Sequence, residues 1–410
     1  MGVLLMRRKF KFVLTLSILV MVLSGCMGKT EINDLGIVMA VGIDKGEKKG
    51  TYQITAQIVR PADARGSTGA PSGQTGEPIW SITATGDSIF DAIRHLGRIS
   101  SRRIYWAHNF AVVINEELAK EGINDIIDFF TRNHQLRMQT LVMVTPDPAS
   151  EVVSTLTGIE VIPGQAINDL FLYNNVTAAA PQTQIIDLQK SYLNESTEPV
   201  LARISLAKHG ISNKKPTAEP TMNQIALNGT GIFKGDKLIG TVSAEDTMGL
   251  LFFLENAKSA AVVTSCPSNK DQKMTIELKT ENFQVTPTYK SNQVGFDVKL
   301  NSEVQLVEAG CPFSIAREQQ VQQIEKQIEA NLKEKIEKIL QLAQEEYKVD
   351  FLELGETFKN RYPSEWKKIV SKWEDEFPEA KTNIKVDVKL TSSALLFLPT
   401  KPKNEEEDKQ

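Results

Sequence analysis

The sequence predicts an α+β protein of two or three domains, in which mixed and antiparallel sheets pack against helices. Three observations carry that expectation. Apolar runs of strand length alternate with helical spacing in the first half; the strands of the second half are joined by short turns; one amphipathic stripe in the C-terminal half is long enough to cross a sheet. A chain of 410 residues also exceeds what one ordinary core supports.

Residues 1–25 read as a lipoprotein signal peptide, to be removed. Arg7, Arg8, Lys9 and Lys11 precede an apolar run from Phe12 to Leu23, and Leu23, Ser24, Gly25 and Cys26 close it. The run of 12 residues falls short of the roughly 20 that span a hydrocarbon core, so it suits a signal better than a permanent anchor. The closing tetrapeptide resembles a lipobox, which implies cleavage before Cys26, a diacylglyceryl group on its sulfur and an acylated amine. Two chains of about sixteen carbons would anchor the protein with on the order of 20 kcal/mol. The rival readings are a chance cysteine after an ordinary signal and an uncleaved anchor. Met1 and Met6 both stand as starts. Removing the leader takes away four cations and no acid, moving the formal charge from −4 to −8. An acidic body argues against nucleic acid.

Residues 26–212 read as an N-terminal α+β region. Leu35 to Ile43 is apolar, a polar turn with Asp44 and Gly46 follows, and Tyr52 to Val59 alternates enough to be its hairpin partner. Residues 60–78, which include the Gly- and Ser-rich run from Arg65 to Gly76, predict a flexible loop. No Gly-Lys-Ser/Thr accompanies those glycines, so a phosphate loop is not expected. Strand Ile79 to Thr85, helix Ser88 to Ile99, strand Phe110 to Ile114, helix Ile123 to Phe130 and strand Met138 to Val144 then alternate, which predicts a mixed sheet. Ile167 to Tyr173 and Ile185 to Leu193 have helical character, and Val200 to Leu206 returns to strand. The Pro-rich polar stretch 213–222 reads as a linker.

Residues 223–398 read as a second α+β domain. Ile225 to Phe233 and Leu238 to Val242 flank a turn, and a helix is predicted from Ala244. Strands occupy about 260 to 308 and are antiparallel by their short connections. The long helix, with Ser314 as its cap, places Val321, Ile324, Ile328, Leu332, Ile336, Ile339, Ala343 and Tyr347 on one stripe. About 33 residues give it near 50 Å. Packing across the antiparallel sheet is the simpler use of that stripe, and a coiled coil the alternative. Glu329 with Lys333 and Glu334 with Lys338 are spaced for i, i+4 pairs. A helix from Pro363 gathers Trp366, Ile369, Val370, Trp373 and Phe377 on one face as core, and Ile384 to Leu390 alternates as a strand. Residues 399–410 are polar and charged and predict a disordered tail.

Little in the chain promises chemistry. His95, His108, His134 and His209 stand at no metal-ligand spacing, and no nucleophile elbow occurs. Catalytic and metal residues are therefore expected to be none, and no cofactor is expected beyond the lipid on Cys26. Glu116 with Glu117, and Glu405 to Asp408, read as solvated surface. Cys266 and Cys311 are an even pair in an exported chain and open to a disulfide. Closing a loop of about 45 residues would contribute roughly 4 kcal/mol. Two buried free thiols are the alternative.

Several segments together resemble the Ger(x)C spore germination family, the lipoprotein C subunits of nutrient germinant receptors. They are Glu31 to Val38 with Gly42 to Lys45; His108; Glu117 to Gly122; Asp128 to Arg132; Gly229 to Leu238; Tyr347 to Asp350; Gly355 with Glu356; and Tyr362 to Trp366 with Trp373. Their order from Cys26 to about Leu395 carries the resemblance. Met27 and Gly28 depart from it, where the family often has tryptophan after the lipid cysteine.

The resemblance implies a three-domain α+β fold and a place on the outer leaflet of the spore inner membrane. It implies integral-membrane A and B receptor subunits as partners, and assembly or signal relay in germination on nutrients as the role. Cys26 is the one functional position it transfers. A solute-binding lipoprotein of a transporter is the alternative function, and an exported enzyme a third.

Overall fold

The computed structural model describes residues 6–12, 14–15, 34–59, 79–133, 135–155, 160, 162–172, 177–211, 221–254, 259–267, 269–310 and 317–391. The leader's cleavage site, the loop from 60, the linker centre and the tail from 399 lie outside them, so those expectations are not placed.

The hairpin at the start forms as its alternation requires: β1 (Leu35–Lys45) pairs antiparallel with β2 (Tyr52–Val59), and β2 with β3 (Ile79–Gly86). Helix α1 (Ile89–Ile99) follows, with the Ser88 side chain accepting from the Asp91 amide and Ile89, Ala92 and Leu96 buried. Its return leads into β4 (Arg103–Tyr105) and β5 (Ala111–Asn115), both parallel to β1. The short α2 (Glu116–Ala119) and α3 (Asn124–Arg132) cross to β6 (Leu141–Thr145), parallel to β5. Then come α4 (Ala149–Ser154), α5 (Pro163–Leu172) and α6 (Ile185–Leu193), before β7 (Val200–Ile211) joins parallel to β6.

The polar stretch expected as a linker connects two paired strands: β7 and β8 (Thr221–Lys234) are antiparallel neighbours, and β9 (Lys237–Val242) pairs with β8. The first sheet therefore runs on to Val242, with nine strands ordered β3-β2-β1-β5-β6-β7-β8-β9 and β4 beside β1. Composition alone hid this, because a long hairpin loop and a linker are polar for the same reason. Helices cover both faces. On one, Leu96, Ile126, Ile127 and Leu188 pack on Val41, Val112 and Val142; on the other, Val152, Val153, Ile167 and Phe171 pack on Ala40, Val113 and Met143.

Helix α7 (Ala244–Phe253), capped by Ser243, leads to the second sheet, ordered β10-β11-β12-β13. Strands β10 (Ser259–Cys266), β11 (Asn269–Lys290) and β12 (Gln293–Ala309) are antiparallel as expected, whereas β13 (Lys381–Thr391) is parallel to β12. The long stripe forms α8 (Glu318–Gln341) and extends in a π turn over Leu342–Glu346. Ile324, Ile328, Leu332, Ile336 and Ile339 are fully or almost fully buried in the core with Leu278, Phe296 and Leu300, so the helix packs on the sheet. Gly249 lets α7 approach it: a Cβ there would lie 2.5 Å from the Lys335 carbonyl oxygen.

The i, i+4 pairs expected on α8 give way to tertiary partners. Glu329 and Glu325 accept from the backbone amides of Val388 and Leu390 at 3.1 and 2.9 Å, and Lys338 reaches Asp246 at 2.7 Å. The two glutamates thus occupy edge amides of β13 that would otherwise invite another strand. After α9 (Leu354–Arg361), the helix expected from Pro363 breaks into α10 (Pro363–Ile369), a 3-10 turn and α11 (Trp373–Glu376). Its aromatic residues still form core, with Trp366 and Trp373 edge to face at 5.1 Å.

Candidate functional site

Cys26 and Cys311 lie outside the described residues. Cys266 ends β10 with 1% exposure and is disulfide-bonded, which removes the free-thiol alternative for it; the pairing with Cys311 stays an expectation. No group of three His, Cys, Asp or Glu among the described residues could hold a metal. His95 Nδ1 lies 2.7 Å from the Thr85 carbonyl and His108 Nδ1 3.4 Å from Arg137. Glu116 departs from the solvated-surface reading. It accepts from Arg203 Nε at 2.6 Å with side-chain exposures of 13 and 21%, so this pair ties α2 to β7.

The richest polar arrangement lies where the two sheets meet. A cleft of 480 Å³ is lined by Tyr192, Glu198, Lys348, Asp350, Lys372 and Trp373 among others. Asp350 closes its floor. Its carboxylate accepts from the amides of Leu352, Leu354 and Gly355 at 3.2, 3.1 and 2.6 Å, and from Trp373 Nε1 at 3.2 Å. The Leu354 and Gly355 amides are the first two of α9, so Asp350 does the work of an N-cap from four residues upstream of Leu354. Burial pushes its carboxyl up to about 6, against the pull of those four donors.

The same segment grips the first sheet. The Glu198 amide donates to the Asp350 carbonyl at 2.9 Å, Asn194 Nδ2 to Glu356 at 3.0 Å, and the Gly235 amide to Glu198 Oε2 at 2.6 Å. Lys234 pairs with Glu374 at 3.1 Å. Burial also raises Glu198, opposed by the Gly235 hydrogen bond, and raises Tyr192 near the charges of Asp236 and Glu198. Gly355 is required by the close fit, because a Cβ there would sit 2.4 Å from the Ser196 Cβ. A carboxylate fixed by four donors positions what it holds.

A second cleft, of 290 Å³, lies at the C-terminal end of β1 and is lined by Lys45, Tyr52, Glu121, Gly122, Asp125 and Asp236 among others. Lys45 pairs with Glu121 at 2.8 Å, Tyr52 donates to Asp125 at 3.1 Å, and the Ile123 amide donates to the Asp236 carbonyl at 2.9 Å. Beside it, Asp44 is 9% exposed and accepts from the amides of Ala149 and Ser150 at 2.7 and 2.9 Å, capping α4. Asp44, Lys45, Glu121, Gly122, Asp236 and Asp350 all belong to segments quoted above for their resemblance. Apart from the hydrogen bonds of Asp350 to Leu352, Leu354 and Gly355, they meet partners that only the fold brings near. An aspartate shortly before a helix start was the one local signal, and it applies to Asp350.

Comparison with known proteins agrees with this architecture. The family described as spore germination protein N-terminal domain matches residues 28–206, and that described as spore germination B3/GerAC like, C-terminal, matches residues 228–394. Spore germination protein KC of Bacillus subtilis (strain 168) is 25% identical over 406 residues, covering 97% of this chain and 98% of its own. Spore germination protein B3 of the same organism is 22% identical, covering 90% and 94%. The crystal structure of the GerBC protein superposes with a TM-score of 0.52 at 18% identity, covering 85% of this chain and 97% of that one, which shows the shared fold. With both family domains matched in order along its length, the chain belongs to the Ger(x)C family of spore germination proteins.

Proposed function

We propose that this chain is the lipid-anchored C subunit of a spore nutrient germinant receptor, held on the outer leaflet of the spore inner membrane beside integral-membrane A and B subunits. The observation that carries the reading is the ordered match of both germination domains, the first beginning at residue 28, two positions past Cys26. Relatives named spore germination protein A3, B3 and GerQC support a place among receptor subunits. Among the described residues no helix is long and apolar enough to cross a membrane; the proposed anchor is the lipid on Cys26. The role is assembly or relay without catalysis. A seam in which Asp350 and Glu198 tie one sheet to the other suits a part that passes on position.

The solute-binding alternative requires two similar lobes around a hinge. It loses support from a nine-stranded sheet covered on both faces beside a four-stranded sheet of different topology. Deleting the gene and complementing with wild type or Cys26→Ala tests the reading. Loss of germination on at least one nutrient in the deletion, restored by wild type and not by Cys26→Ala, is expected. Full germination on every nutrient in a strain without paralogous receptors would sink it.

A further inference from the structure

The end of the first sheet where β1 begins carries a concentration of arginine that the family reading leaves unused. Strands β1, β3, β4, β5 and β6 all run the same way, so helices returning between them finish at the end of the sheet where Leu35 starts. Residues 92–115 hold Arg94, Arg98, Arg102 and Arg103, residues 129–146 hold Arg132 and Arg137, and neither window contains an acid. Those are six of the chain's 13 arginines, in a chain whose formal charge is −4.

Side-chain and backbone contacts join the two windows. Arg103 pairs with Leu35 in the parallel ladder, and Arg102 flanks Gly36. Two residues beyond Arg103, the Tyr105 ring lies 5.9 Å from His108, and His108 Nδ1 lies 3.4 Å from Arg137. Arg98, Arg102, Arg103 and Arg137 are exposed and have no carboxylate partner among the described residues, whereas Arg132 is held by Asp128. Ile99 and Met138, 54 and 36% exposed, stand among them. The dipole at the end of α1 suffices to explain Arg98. It does not explain Arg102, Arg103 or Arg137, which lie outside helices.

We propose that this arginine end docks on an anionic phospholipid surface, so that the protein meets the membrane at two points, the lipid on Cys26 and this patch. The inference rests on the anchor reading for its geometry. Cys26 precedes Leu35 by nine residues, a leash of about 30 Å at full stretch. That length bounds how far the start of β1 can stand from an anchored Cys26. The Arg102 and Arg103 side of the sheet is the part that the leash holds closest, and guanidinium groups attract anionic headgroups within a Debye length. Ile99 and Met138 would enter the interfacial region between them. The remaining acidic body would be turned away from the bilayer by like-charge repulsion.

The test uses the mature chain, residues 26–410, with Cys26→Ser so that no lipid is attached. Cosedimentation is measured with vesicles of phosphatidylcholine alone and of phosphatidylcholine mixed with phosphatidylglycerol. Binding to the anionic vesicles only, weakening steeply with salt, is expected. One basic residue near such a surface is worth about fivefold in partition. Changing Arg98, Arg102, Arg103 and Arg137 together to Gln should therefore weaken binding at least roughly a hundredfold, while the four Arg→Lys changes should keep it within about tenfold. Lys299→Gln with Lys385→Gln on the second sheet should leave it unchanged, and matching circular dichroism melts establish that each variant folds. No binding to anionic vesicles, or equal binding by the Gln variant, overturns the proposal. So does a Gln variant that abolishes germination while binding vesicles normally, since the patch would then serve a protein partner. Mass spectrometry of Cys26 in the wild-type chain reads the anchor separately, so failure of one is not failure of the other.

Discussion

The two sheets are stabilised by different means, and a buried aspartate in each makes the difference measurable. The nine-stranded sheet is covered on both faces, and Asp44 supplies two hydrogen bonds to α4, a helix already pinned by Ala149, Val152 and Val153 at 0% exposure. The four-stranded sheet takes its helices on one face and leaves Val263 and Val307 61 and 64% exposed on the strands themselves. There Asp350 satisfies three amides and an indole, and its own carbonyl receives the Glu198 amide from the first sheet. Where two faces bury apolar residues, an aspartate orients one helix end. At the seam between sheets, the aspartate holds the junction.

Asp350→Ala should be the most damaging single change. It strands four buried donors, each worth about 1 kcal/mol or more, so a loss of about 4 kcal/mol in denaturant unfolding is expected. Limited proteolysis should also open the segment from 348 to 377 first. If the variant lost no more stability than Asp44→Ala, the contrast between seam and interior would collapse.

The same residue predicts a pH dependence of definite sign. Burial raises its carboxyl to about 6, whereas an unfolded aspartate ionises near 4. The folded state thus holds the proton more tightly. The contribution is complete below about pH 4 and is lost as pH rises to about 6, at up to about 1.4 kcal/mol per pH unit. Wild type and Asp350→Asn should be compared across pH 4 to 7. The stability of wild type relative to the variant should fall through the window and then level. A rise there would mean that the four donors outweigh burial.

Asp44→Ala should cost about 2 kcal/mol, the upper range for a lost helix cap, because both orphaned amides are at or near the buried start of α4. Hydrogen exchange should quicken at Ala149 and Ser150 while the β5 and β6 amides stay protected. Spread of the effect into β5 would mean that Asp44 supports the sheet as well as the helix.

These contrasts also explain what the sequence disclosed. The stripe of α8 was legible because six or more apolar residues at steps of three and four admit only one period, and Ser88 and Ser243 marked helix starts by chemistry local to them. The break after Pro363 was not legible, since Trp373 turns to donate to Asp350, 23 residues away. Nor was the parallel direction of β13, which α8 to α11 decide by carrying the chain back to the same end of the sheet. The roles of Asp44 and Asp236 depend on partners 105 and 112 residues distant and leave no local trace. Cys26, by contrast, is proposed from a linear motif, Leu23-Ser24-Gly25-Cys26, which needs no folded partner to be legible.

The smallest expected effect separates the two parts by their ion pairs. Arg203 and Glu116 in the first sheet are 21 and 13% exposed, while Lys338 and Asp246 between α7 and α8 are 53 and 20% exposed. A double-mutant cycle through Arg203→Gln and Glu116→Gln should give a coupling of about 1 to 2 kcal/mol that changes little with salt. The cycle through Lys338→Gln and Asp246→Asn should give under about 1 kcal/mol and fade as salt rises, because water and ions reach the lysine. Asp246→Asn alone loses an acceptor at the start of α7, so only the cycle, and not the single substitution, isolates the pair. Equal couplings would mean that the packing of α7 on α8 shields its ion pair as well as a double-covered sheet does. The exposed Lys338 would then owe its position to α8 rather than to Asp246.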